Sequence, residues 1–289
     1  MSLYIIKYNV KLNVARGRLY LSTDCVLIKG AGDLASGVAY VFKKEGYRVL
    51  MTEIERPTCV RRTVSFAEAV YEGKICVQGI WGRLAKDMDE ITTIMDGGDI
   101  AVLVDPRCEV IGTLRPFIYI DATMAKRNLG TKIDDAKIVI ALGPGFEAGK
   151  DAHAVIETQR GPNLGEPIFS GMAAPNTGIP GNVLGYTIER VLRAPVDGIF
   201  DAKLKIGDLV ERGETVAVVN GSPVQAAITG VVRGLLRNGL GVYKGMKVGD
   251  IHPAKDREVC FTITDKAMAI GYGALKAVRA LQEKNQLCR

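Results

Sequence analysis

Histidine occurs twice and tryptophan once in 289 residues, and the six cysteines stand singly with no CxxC pair. These scarcities exclude whole classes of chemistry. With only His153 and His252 to draw on, a zinc site of the usual Cys/His make-up would have to gather scattered single ligands, so no metal site is expected. Cys25, Cys59, Cys76, Cys108, Cys260 and Cys288 read as reduced thiols. No apolar run approaches the roughly 20 residues that cross a bilayer. The longest, at 101–104 and 138–142, are strand-sized. Residues 1–21 carry Lys7, Lys11, Arg16 and Arg18 but neither the apolar core nor the cleavage site of a signal peptide, so the expected location is the cytoplasm. The net charge of +6 is spread among acids without basic runs, so neither nucleic acid nor a membrane is an expected partner.

What is present is a glycine turn in a telling context. Cys25, Val26, Leu27 and Ile28 form a short apolar run, followed by Gly30-Ala31-Gly32-Asp33-Leu34-Ala35. Leu34, Gly37, Val38, Val41 and Phe42 then recur with helical spacing, and Gly46 stands where a left-handed cap belongs. Residues 47–53 supply a second strand ending on Glu53. Strand, GxGxxA, helix, strand and acid in that order make the dinucleotide fingerprint. In that reading Gly30 allows the tight turn, and Gly32 lets a phosphate approach the positive end of the helix. Glu53 would meet ribose hydroxyls. Asp33 stands against this, because its carboxylate would repel a pyrophosphate unless it points away.

Alternating elements follow: a helix at 65–71, strands at 74–77 and 100–104, a helix at 83–95, and strands at 117–120 and 137–142. The pattern predicts a Rossmann-like, mostly parallel sheet over residues 24–169 with helices on both faces. Ligands of such sheets lie at the carboxyl ends of the strands. That rule collects the expected binding residues on one rim: Gly30, Ala31, Gly32, Asp33, Leu34, Ala35, Glu53, Asp121, Lys126, Gly143, Pro144, Gly145 and Phe146. No catalytic residue can be named. His153 has no recognisable partner.

The second half holds a repeat. Residues 194–216 align without a gap on 226–248 at a constant offset of 32, placing Gly198 on Gly230, Gly207 on Gly239 and Gly213 on Gly245. Val210 falls on Val242 and Val216 on Val248, so two copies of one small β unit are expected to pack together over residues 190–253. The half-motif at 194–198 and 206–214 resembles biotinyl and lipoyl carrier domains, which implies a barrel-sandwich hybrid. In those carriers the modified lysine sits on the hairpin between the halves. Here that hairpin is Asn220-Gly221-Ser222-Pro223, so neither biotin nor lipoate is expected. The apolar stretch at 170–182 is expected to be ordered, and a final helix over 265–286 is expected to pack on the first domain.

Five strings together carry a resemblance: IKGAGDLA at 28–35, RRTVSFAEAVY at 61–71, DATMAK at 121–126, GPGFEAG at 143–149 running on to His153 and Glu157, and NTGIPG at 176–181. From about Cys25 onward the chain resembles the YqeB family, associated with a selenium-dependent molybdenum hydroxylase system. The first domain is also similar to the Rossmann portion of the XdhC and CoxI maturation proteins. The resemblance implies an accessory or maturation protein that partners a molybdenum hydroxylase and binds NAD(P), another nucleotide or the molybdenum cofactor. An NAD-dependent oxidoreductase of unknown substrate is the alternative. Residues 1–23 precede the family-like region and receive no function.

Overall fold

The computed structural model describes residues 24–285 and the backbone of a short ribbon, Asn13–Ala15 against Arg18–Tyr20. The expectations for residues 1–23 otherwise lie outside the described residues. The chain folds into a mixed α/β structure with one large, mostly parallel sheet and several antiparallel ones.

The large sheet starts from β1 (Cys25–Lys29), α1 (Asp33–Lys44) and β2 (Arg48–Glu53). It continues through β3 (Lys74–Val77), β4 (Ile80–Ala85), α2 (Met88–Asp96), β5 (Ile100–Val104), α3 (Val110–Leu114) and β6 (Ile118–Asp121). β7 (Ile138–Leu142), β8 (Ala154–Ile156) and β9 (Pro167–Ile168) complete it. The spatial order is β9-β8-β7-β6-β1-β2-β5-β4-β3, antiparallel only at its two outer pairs. Its central strands are apolar because both of their faces are covered. Successive side chains of β1 divide between two cores: Val26 and Ile28 pack with α1, whereas Cys25 and Leu27 pack with Ile91 and Met95 of α2.

Three features correct the Rossmann-like expectation. In that fold the third parallel strand lies directly beside the second. Here β5 is inserted between β2 and β4. The crossovers from β6 to β7 and from β7 to β8 contain no helix, so the strand–helix alternation stops at β6. The sheet instead borrows its cover from the far end of the sequence, where α4 (Asp265–Asn285) lies beside α1 and buries Ile270, Ala274, Ala277, Val278 and Leu281. The region expected to be helical at 83–95 also divides: Ile80–Ala85 is a strand, and the helix begins after Asp87, whose side chain accepts from Glu90 N at 2.9 Å.

The second half forms two four-stranded antiparallel sheets around one core. One contains β10 (Val191–Arg193), β17 (Lys247–His252), β15 (Gly230–Leu235) and β12 (Leu209–Val210) in that order. The other contains β14 (Ser222–Gln225), β13 (Thr215–Val219), β11 (Gly198–Ala202) and β16 (Gly241–Val242). Strand pairings recur at the sequence offset: Gly198 faces Val242 as Gly230 faces Val210, and Phe200 faces Val219 as Val232 faces Ile251. The expected biotinyl- or lipoyl-type barrel is replaced by these sheets, which are built into the rest of the chain. Leu235 N donates to Val60 O at 2.7 Å, and Arg62 Nε donates to Leu235 O at 2.8 Å. Asp250 on β17 is wholly buried and accepts from Arg190 and from Arg233 Nε.

α1 and α4 meet backbone to backbone. A Cβ on Gly37 would stand 2.6 Å from Ala267 O, and one on Gly271 would stand 2.8 Å from Gly37 O. Overfilling such a contact forces the helices apart, so Gly37→Val should lower stability by about 2–3 kcal/mol in urea unfolding. An unchanged unfolding midpoint would show that α4 is not held in this way.

Candidate functional site

The carboxyl ends of β1, β2, β5 and β6 open onto a cavity of about 850 Å³. Four segments line it. The β1–α1 turn gives Lys29, Gly30, Gly32, Asp33, Leu34 and Ala35, and the segment after β2 gives Glu53, Ile54, Pro57, Thr58 and Cys59. Pro106 and Arg107 follow β5; residues 122–125 and Leu129 follow β6.

The turn has the conformation that the glycines suggest. Gly30 has φ +94°, and a Cβ there would approach Ala122 O to 3.1 Å. Gly32 is the N-cap of α1, and no side chain caps that end. An ideal Cβ on Gly32 meets nothing within 4 Å. The space beside Gly32 is therefore open, and the helix dipole adds positive potential there.

Glu53 is used differently from the sequence expectation. Its Oε2 accepts from Ala31 N at 2.9 Å and its Oε1 from Ile54 N at 2.7 Å. Burial pushes its carboxyl above the ordinary value, and these two amides partly offset the rise. Ala31 itself is enclosed; its carbonyl accepts from Ser36 Oγ, Ser65 Oγ and Ala67 N. Asp33 faces Arg61, with Oδ1 3.5 Å from Nη1. Burial raises the Asp33 carboxyl, and Arg61 opposes the rise. The repulsion expected from an acid in the turn is thus blunted by an adjacent guanidinium. Arg61 is 4% exposed and donates Nη2 to Val259 O at 3.0 Å and Thr262 O at 2.9 Å, while its Nε and Nη1 make no hydrogen bond.

The remaining rim residues lie outside the lining. Asp121 is wholly buried and accepts from Thr123 N, Thr123 Oγ1 and Thr131 Oγ1, the last at 2.6 Å. It shapes the segment after β6. Gly143 and Gly145 are packed against protein, their Cβ positions 2.5 Å from Thr158 Oγ1 and 2.5 Å from Arg127 N. Pro144 lies between them, Phe146 is in the core beneath, and Lys126 has φ +61° on the segment that Gly145 touches. His153 is structural: its Nδ1 accepts from Val139 N at 3.0 Å, and burial lowers its pKa, favouring the neutral acceptor. The sequence reading passed over Lys29, Cys59 and Arg107. Burial pushes the Cys59 thiol up to about 11. A smaller hollow of about 420 Å³ between β3, β4 and α2 is less suited to a ligand, because Arg83 pairs with Asp99 and Lys74 lies over the Trp81 ring. Among the described residues no group of three or more His, Cys, Asp or Glu side chains could hold a metal ion, and no helix is long and apolar enough to cross a membrane.

No family model matches the chain. It is 48% identical over 259 residues to the uncharacterized protein YqeB of Escherichia coli strain K12, a match covering 90% of this chain. That match supports the YqeB family. The chain spans about half the length of this YqeB relative, 48% of it. Among solved structures, an aspartoacylase family protein of Mesorhizobium loti aligns with 80% of the chain and 86% of its own, at 14% identity and a TM-score of 0.27. The ectoine utilization protein EutE (DoeB) of Ruegeria pomeroyi aligns with 79% and 57%, at 11% identity and a TM-score of 0.21. At those scores neither likeness bears on this fold or on this cavity.

Because burial raises the Glu53 carboxyl, the folded chain holds that proton to higher pH than the unfolded chain does. The stabilisation is complete below the unfolded value, about pH 4, and is lost as pH rises through the folded one. Wild type should accordingly lose stability relative to Glu53→Gln as pH rises above about 4. Denaturant midpoints that run parallel for the two proteins over this range would contradict the assignment.

Proposed function

We propose that the protein binds a nucleotide, or a cofactor bearing one, in this cavity and acts as an accessory protein to a molybdenum hydroxylase. One observation carries the binding reading: the uncapped N-terminus of α1 opens, at Gly32, into the cavity at the strand ends. Gly32 carries no side chain and the space at its Cβ position is open, so a phosphate can approach that end of the helix. The volume lies within the range of small-molecule sites. Apolar walls from Leu34, Ile54, Pro57 and Met124 give a base or a pterin surface to pack on. Glu53 is engaged with backbone amides, so in this reading it sets the shape of the turn rather than gripping a ribose.

The partner assignment rests on the resemblance to the YqeB and XdhC/CoxI proteins. The same reading accommodates NAD(P) or the nucleotide form of the molybdenum cofactor, since all present a phosphate to the turn. Such a cofactor would be held by the α1 amides and by the segments that bear Thr58 and Thr123.

Gly32→Val is a clean probe. Gly32 has φ −68°, which any residue adopts, and its Cβ position is empty, so the variant should fold normally while its methyl groups fill the phosphate space. Calorimetric titration with ADP, CDP and NAD should show binding to wild type and at least a tenfold loss in the variant. Equal affinities, or no binding of any of the three to wild type, would refute the reading. Steady NAD turnover by the purified chain alone would replace the accessory role with that of an oxidoreductase.

A further inference from the structure

β1 is apolar from Cys25 to Ile28 and ends on a lysine. Its main chain is fully committed to the sheet: Lys29 pairs in register with Thr52 and Asp121, and its carbonyl accepts from Ala122 N at 2.9 Å. The side chain has the same parity as Cys25 and Leu27, which places it on the opposite face of the sheet from α1. There it influences Cys108, whose thiol feels the Lys29 charge. Lys29 is 7% exposed, and that remnant opens into the cavity.

No ion pair or hydrogen bond fixes its ammonium among the described residues. The other charges on the lining are already engaged. Asp33 faces Arg61, Glu53 receives two amides, and Arg107 is largely exposed beside Glu109. Asp121, cross-strand from Lys29 on the same face, is taken up by Thr123 and Thr131, and neither the fold nor the sheet pairing requires a lysine at this position. An anion arriving with a ligand would give the ammonium a hydrogen-bonding partner.

Resting on the reading of the cavity as a nucleotide site, we propose that Lys29 is the anchoring cation for a phosphate group of the ligand. The α1 N-terminus and the Lys29 ammonium stand on opposite faces of the sheet but share one cavity, so a ligand that engages both crosses the carboxyl end of β1. A diphosphate has the chemistry for this arrangement: one phosphate on the helix amides and the second on the ammonium. Charge-assisted hydrogen bonds of this kind are among the stronger polar contacts in a binding site.

The test titrates inorganic pyrophosphate and ADP separately into wild type, Lys29→Met and Lys29→Gln, with melting temperatures recorded for all three. Methionine keeps the length and volume of the side chain, no ion pair or hydrogen bond of the ammonium is lost, and the melting temperatures report whether each variant folds. Both variants should bind both probes at least about tenfold more weakly than wild type, as expected for losing a charged partner. Wild-type affinity should also fall more steeply with added salt than that of either variant. Unchanged affinity for ADP in folded variants would overturn the role of Lys29 and leave the nucleotide reading standing. Lys29-dependent binding of pyrophosphate without binding of ADP would uphold the anchor and remove the nucleotide reading. Failure of wild type to bind either probe would overturn both.

Discussion

The buried guanidinium of Arg61 ties together the parts that make the cavity. From the segment after β2 it reaches Asp33 on the first turn of α1 and donates to the carbonyls of Val259 and Thr262 ahead of α4. Its neighbours extend the tie. Arg62 bonds Leu235 O and Glu68, Val60 accepts from Leu235 N, and Arg237 reaches back to Glu68 and Glu72. A guanidinium at 4% exposure is costly to bury and costlier to leave unpaired; removing one partner of such a pair is worth about 3–5 kcal/mol. Pro57, Thr58 and Cys59 form one wall of the cavity on this same segment, so that wall keeps its position only while the two antiparallel sheets keep theirs.

Charge is distributed unevenly around the cavity, and the distribution gives it a chemical character. Each acid on the lining is turned to protein: Glu53 to the amides of Ala31 and Ile54, and Asp33 to Arg61. What faces the open space is an uncapped helix end and a buried ammonium. With acids neutralised from behind and positive groups left facing inward, the cavity favours an anion. This resolves the conflict the sequence presents at Asp33, where a carboxylate stands inside a turn read as a phosphate site.

The local elements around the turn were legible because helical spacing and glycine placement are local signals. Leu34 to Phe42 shows the helix, and Gly46, with φ +86°, ends it. The recurrence of glycines 32 residues apart likewise marks where Gly198 and Gly230 start equivalent strands. The order of the central strands was not legible, because strands covered on both faces are uniformly apolar and carry no record of their neighbours. The insertion of β5 between β2 and β4 is a property of the crossovers, and the helix that covers β7 and β8 comes from more than 100 residues later. The same limit applied to the rim. Asp121 ends a strand, as a ligand-binding acid would, yet Thr123 and Thr131 take up both of its oxygens. Gly143 and Gly145 admit a close approach, but from Thr158 and Arg127. Lys29 gave no signal in sequence, since a lysine after an apolar strand is ordinarily a solvated end.

Amide hydrogen exchange with and without saturating ADP tests most directly whether the cavity at the strand ends is the binding site. Slowed exchange should be confined to residues 29–36, 53–60, 106–107 and 122–129, the four segments that line it. Unchanged exchange in all four, or protection centred on the hollow between β3, β4 and α2, would contradict the account.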